Sequence, residues 1–136
     1  FENNNSGYDT TATNITLTPP PDLEFESLTI PSNARSGSSL SISYRVTNFG
    51  ATETPNYYWT DTFYLSSDNQ LHTTTDINLG SVGQYGILYP GDGYDRTANF
   101  ALPNTLTGTY YVFGVTDSGD QVFELDTPDN FQPKAY

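Results

Sequence analysis

Two groups of oxygen-bearing side chains are spaced closely enough to share a ligand, and one carboxylate stands apart. Asp68, Asn69 and Asp76 fall in one polar stretch. Asp117 and Asp120 crowd another, with Glu124, Asp126 and Asp129 close behind. Asp61 stands in an apolar run, on the parity of Trp59 and Phe63. Hard cations such as Ca²⁺ take roughly six to eight oxygen ligands, and these residue types supply them. Ca²⁺ is thus the one cofactor to expect, although neither loop has the residue order of an EF-hand. Each group also has a structural use. An inward Asp61 must find hydrogen-bond donors in a neighbouring loop. The stretch from Asp68 to Asp76 reads equally as a solvated turn. Asp117-Ser118-Gly119-Asp120 has the composition of a hairpin turn.

Nucleophilic and acid–base chemistry find less. His72 is the single histidine and lies in a polar loop. No nucleophile-elbow context surrounds any serine. Cysteine is absent, so neither thiol chemistry nor a disulfide staple is available. The expectation is a protein that is not an enzyme. Exposed aromatics offer a binding alternative. Tyr57 and Tyr58 in one loop, with Tyr85 and Tyr89 around a Gly-rich turn, could stack on sugar rings, as could an exposed Trp.

Sixteen acids face four bases, for a formal net charge of −12. Nucleic acid is repelled by such a chain, because its binding needs a cationic footprint. An anionic membrane surface is disfavoured likewise. No apolar run approaches the ~18 residues of a membrane helix, so no membrane insertion is expected. Neutral polysaccharide and divalent cations remain as partners, besides other copies of the chain. The Thr, Ser, Asn and Gly-rich composition points to the cell surface or the extracellular medium.

Strands must position these residues, since no segment shows helical periodicity. Residues 10–18 read as a short strand with Thr11, Thr13, Ile15 and Leu17 on one face. Pro19-Pro20-Pro21 is a stiff, extended break. Residues 23–30 form a strand whose parity shifts near Glu26-Ser27, the mark of a bulge. Residues 40–46 alternate, with Leu40, Ile42, Tyr44 and Val46 facing in. Residues 59–65 alternate again through Trp59, Phe63 and Leu65. Short strands follow at 77–82 and 87–88, then a longer one at 94–102. Residues 108–117 carry the strongest strand signal, with Tyr111, Phe113 and Val115 placed inward. A returning strand spans 121–125. The expected fold is an all-β sandwich, immunoglobulin-like or fibronectin III-like, of about seven strands.

The block PDLEFESLTIPSNARSGSSLSISYRVTNFGATET opens at Pro21. WTDTFYLSSDNQL, INLGSV and GTYYVFGVTDSGDQVFELDTPDN follow it. In this order and spacing they resemble the CARDB family, the cell-adhesion-related domain found in bacteria, over residues 21–130. The resemblance implies an immunoglobulin-like sandwich, usually in tandem copies within large secreted or surface proteins. The family often carries a further acid in the loop after the YLSSD block. Here Asp68 and Asp76 stand, but the middle position is His72.

Phe1-Glu2 and Phe123-Glu124 each open a polar stretch. In a tandem family this reads as one repeat plus an overlap, with a period of about 122 residues. Residues 1–20 are then an N-terminal strand and Pro-rich linker, the last strand of a preceding repeat. Residues 21–136 are the sandwich proper. The expected role is a structural or adhesion module whose copies join by strand donation into a filament. The alternative is a carbohydrate-binding module.

Overall fold

The computed structural model describes residues 7, 9–55 and 57–124. They form six strands and no helix. These are β1 (Leu23–Thr29), β2 (Ser39–Asn48), β3 (Tyr58–Ser66), β4 (Ile77–Tyr85), β5 (Gly93–Ala101) and β6 (Tyr111–Val115). Two antiparallel sheets pack face to face, one in the order β1-β2-β5 and the other in the order β4-β3-β6.

The alternation of β2 places Leu40, Ile42, Tyr44 and Val46 against the opposite sheet, all buried. Trp59, Phe63 and Leu65 answer from β3. Phe63 is the hub. Its ring lies 4.9 Å from Tyr44, 5.3 Å from Phe100 and 5.9 Å from Phe25, centroid to centroid. The bulge expected in β1 is present, as a register shift between Phe25 and Ser27. It explains why Leu23 and Phe25, then Leu28, all reach the core from one strand.

Chain direction defines two ends. The upper end carries the start of β1, the β2–β3 and β4–β5 connections, and the turn after β6. The lower end carries the β1–β2, β3–β4 and β5–β6 connections.

Five expectations are corrected. The described chain has six strands where about seven were expected. Residues 10–18 are not a strand: they are exposed and pair with no sheet, so their backbone groups are left to solvent. Ile87 and Leu88 form a loop, because the Leu88 backbone N–H donates to Thr54 Oγ1 and its carbonyl accepts from the Thr54 backbone N–H. In β6, parity is opposite to that expected. Phe63 pairs with Gly114 and Leu65 with Val112, so Val112 and Gly114 face the core. A Cβ at position 114 would stand 2.6 Å from the Phe25 ring, so only glycine lets β1 approach β6 so closely. Phe113 is buried on the opposite face, beside its register partner Tyr64. Of the returning strand, residues 121–124 carry no ladder, and Leu125 lies outside the described residues, as do Asp126 and Asp129.

Candidate functional site

Asp61 is fully buried between the sheets, as its parity required. Its carboxylate accepts from the Tyr94 hydroxyl at 2.6 Å and from Thr116 Oγ1 at 2.8 Å. Trp59 Nε1 donates to the same Tyr94 hydroxyl at 3.1 Å. Burial pushes the Asp61 carboxyl up to about 6, against the lowering effect of these donors. The Tyr44 hydroxyl is buried near the Asp61 carboxylate, without a close hydrogen bond among the described residues. Burial, and then the Asp61 charge, raise its pKa and that of Tyr94. Trp59 is buried too, so the tryptophan proposed as a sugar contact does not reach a surface.

The Asp117, Asp68 and Asp76 carboxylates are also occupied by protein donors. The Asp117 oxygens accept from the backbone N–H of Gln121 and of Val122, both at 2.8 Å. Asp117 and Asp120 adopt φ of 45° and 54°, a turn conformation that Asp tolerates. At the lower end, Ser66 Oγ donates to Asp76 at 2.9 Å, while Asp68 accepts from Gln70 N–H at 3.0 Å. His72 N–H donates to Asp76. Asn69 is exposed beside them. The six residues singled out as cation ligands thus fall into two sets, Asp61, Asp117 and Asp120 above and Asp68, Asn69 and Asp76 below. Among the described residues, no three His, Cys, Asp or Glu side chains converge as metal ligands.

Glu124 holds the start of β1, its carboxylate accepting from Leu23 N–H. Burial first, then the nearby acids Asp117, Asp22 and Asp120, push it up to about 7. Asp61 and Glu124 therefore both bind protons more tightly when folded than when unfolded. Stability from these groups is fully present below about pH 4 and is lost as pH rises through the window from about 4 to about 7. We expect a higher melting temperature at pH 5 than at pH 8 by scanning fluorimetry. Asp61→Asn with Glu124→Gln should flatten the profile, and an unchanged slope in that pair would reject this cause.

At the upper end, Asn48 ties the loops together. Its Oδ1 accepts from the backbone N–H of Asp22 and of Gly50, and its Nδ2 donates to the carbonyls of Thr52 and Leu88. The tri-proline segment is fixed to the same loop, through Ala51 N–H to the Pro20 carbonyl and Thr52 Oγ1 to the Pro19 carbonyl. A Cβ on Gly50 would lie 2.5 Å from that Pro20 oxygen, so glycine permits the close approach. Residues 10–18 leave from there into solvent, with Ile15 87% and Leu17 63% exposed. Thr11 and Thr13 are exposed with them.

Of the tyrosines, Tyr58 and Tyr85 meet, their ring centroids 4.8 Å apart on the outer face of the β3–β4 ladder. Tyr57 and Tyr89 stand exposed at the same end. On the far edge of the sandwich, Arg96 donates to Gln84 Oε1 at 2.9 Å, bridging β5 to β4. Sequence reading passed over this pair. Its signal was an Arg on the inward parity of Tyr94, Ala98 and Phe100.

The third strand of the second sheet, β6, pairs with β3 on one side and with no described strand on the other. Between its start and the end of β1 opens a cleft of about 500 Å³ at the lower end. Leu40, Leu65, Leu102, Leu106 and Val112 line it, with Thr109 among the polar lining residues.

Two packed antiparallel sheets with this strand order define an immunoglobulin-like module, and the comparisons place it. The family model CARDB matches residues 20–134, and the chain belongs to the CARDB family. That family is adhesion-related and non-catalytic. Among solved structures, the chain is similar to the CARDB domain of the Pyrococcus furiosus PF1109 protein, crystallised in complex with di-metal ions. They share 20% identity with a TM-score of 0.56, over 92% of each chain. A solution structure of the same domain matches at 17% identity and TM-score 0.53, covering 82% of this chain and 87% of that one. β-Glucosidase 3B from Thermotoga neapolitana, solved with glucose, matches at 15% identity and TM-score 0.53. That match covers 72% of this chain but 14% of the enzyme. At these identities the structural matches show the fold alone. No curated protein sequence matches the chain significantly. No helix of the described residues is long and apolar enough to cross a membrane.

Proposed function

We propose that this chain is a non-catalytic adhesion module of an extracellular repeat protein, and that copies join head to tail by strand donation. Residues 10–18 of one copy add to the open side of β6 in another. One observation carries the reading: a β-branched segment stands unpaired in solvent while β6 has a described partner on one side only. Such a contact joins two different surfaces, so it extends without closing and builds a filament. Light scattering of the full chain against a chain lacking residues 1–19 tests it. We expect concentration-dependent mass growth in the first and a monomer in the second, and equal assembly of both would reject the reading.

A second reading rests on the Tyr58–Tyr85 pair. Thr60 Oγ1 donates to the Tyr58 hydroxyl, Ser81 and Ser118 follow on the same face around the buried Thr62, and none of the six residues is charged. A neutral aromatic strip on so acidic a molecule suits a neutral polysaccharide. Glycan-array binding that disappears in Tyr58→Ala and Tyr85→Ala is the expected result, and binding unaffected by both would exclude this surface.

A further inference from the structure

Strand donation leaves open which way the donated segment runs and what anchors it. We infer that residues 10–18 of a second copy run antiparallel to β6 and seat Ile15 and Leu17 in the lower-end cleft. This inference rests on the strand-donation reading above.

Direction follows from where the ends must lie. β6 runs from the lower end to the upper end. An antiparallel partner enters at the upper end with Thr11 and leaves at the lower end with Leu17. Thr11, Thr13, Ile15 and Leu17 share one face, and they are the apolar and β-branched side chains able to turn toward the core. In this direction the two largest of them arrive at the mouth of the cleft that Leu65, Leu102, Leu106 and Val112 line. In the parallel direction the threonines would arrive there instead, and the aliphatic side chains would meet the closed upper end.

The same geometry excludes the chain's own segment as the antiparallel partner. Its Pro19 and Pro20 carbonyls are bound to Thr52 and Ala51 at the upper end. Thr18 therefore starts at the upper end and cannot reach the lower one while that contact holds. A second copy carries no such restraint. Charge favours the same occupant. Two molecules of net charge −12 repel, so contact is least opposed where both surfaces are neutral. Residues 10–18 contain no charged residue, and none of the residues lining the cleft is charged. The tri-proline that follows Leu17 then emerges at the lower end of the acceptor and sets the upper end of the donor against it.

The chain contains no cysteine, so a single introduced pair reports unambiguously. A copy carrying Leu17→Cys is mixed with a copy carrying Thr109→Cys, both at exposed positions, under mild oxidation. The expected product is a disulfide-linked pair of copies, read as a doubled mass, because the two Cα atoms must come within about 7 Å. A Thr11→Cys copy mixed with the Thr109→Cys copy should stay unlinked. Linkage through Thr11 in place of Leu17 would overturn the direction but leave strand donation standing. So would the absence of both links in a chain whose assembly still requires residues 1–19. A doubly substituted chain that links within itself, at unchanged mass, would name its own segment as occupant and overturn the inference. If deletion of residues 1–19 leaves assembly unchanged, strand donation itself fails.

Discussion

Asp61→Ala is expected to lower the stability of the fold by about 3–5 kcal/mol. Two hydroxyls, those of Tyr94 and Thr116, lose their acceptor at once. Both residues are only partly exposed and Tyr94 is also held by Trp59, so water replaces the lost acceptor incompletely. Each orphaned donor costs about 1–3 kcal/mol, and the vacated volume adds to that. A single domain holds only about 5–15 kcal/mol in total. Asp61→Asn separates shape from charge. The amide oxygen accepts one hydroxyl, the amide nitrogen donates to the other, and the penalty for an ionised group in the interior disappears. The Asn variant should therefore stay within about 1.5 kcal/mol of the parent, a difference on the scale of one net hydrogen bond. Urea unfolding followed by tryptophan fluorescence measures both, because Trp59 sits in the same network. An Ala variant as stable as the parent would mean that Tyr94 and Thr116 find other acceptors.

Phe63→Ala should be comparably severe, at about 3–5 kcal/mol. Phe63 is fully buried on the central strand of its sheet, and its ring touches Phe25 and Tyr44 from the opposite sheet together with Phe100. Three ring contacts of about 0.5–1.5 kcal/mol each are lost besides the transfer of the side chain. The cavity left behind is bounded by strands fixed in their ladders, so collapse is limited. Tyr85→Ala is the control. Its ring is exposed, and loss at such sites is about 0.5 kcal/mol or less. Thermal melts of the two variants should separate clearly, and similar melting temperatures would show that Phe63 does not organise the core.

Much of this arrangement was legible because alternation in β2 and β3 is strict. Leu40, Ile42, Tyr44 and Val46 have polar neighbours, so only one parity buries them. The bulge at Phe25–Ser27 showed as a break in that rhythm. β6 offered no such contrast. Tyr111-Val112-Phe113-Gly114-Val115 is apolar or small throughout, and a continuous run carries no parity information. The deciding fact was the proximity of the Phe25 ring to Gly114, a contact made across the sandwich. Asp61 was readable as an inward carboxylate but not by its partners, which lie 33 and 55 residues further along the chain. Ile87 and Leu88 were misplaced for a related reason. A Thr54 side chain, and no neighbouring strand, holds that backbone.

The clamp at Pro20 and Asp22 has a mechanical consequence. Tension arriving through the leading segment meets the sandwich first where the Ala51 and Phe49 backbone and the Asn48 side chain hold residues 20–22 by hydrogen bonds. Beyond it, the pull runs along the axis of β1, whose ladder to β2 extends from Leu23 to Thr29. Force along a strand loads its bonds together in shear, whereas force across a strand peels them one after another. A module fastened this way resists stretching along the line in which its copies would be strung.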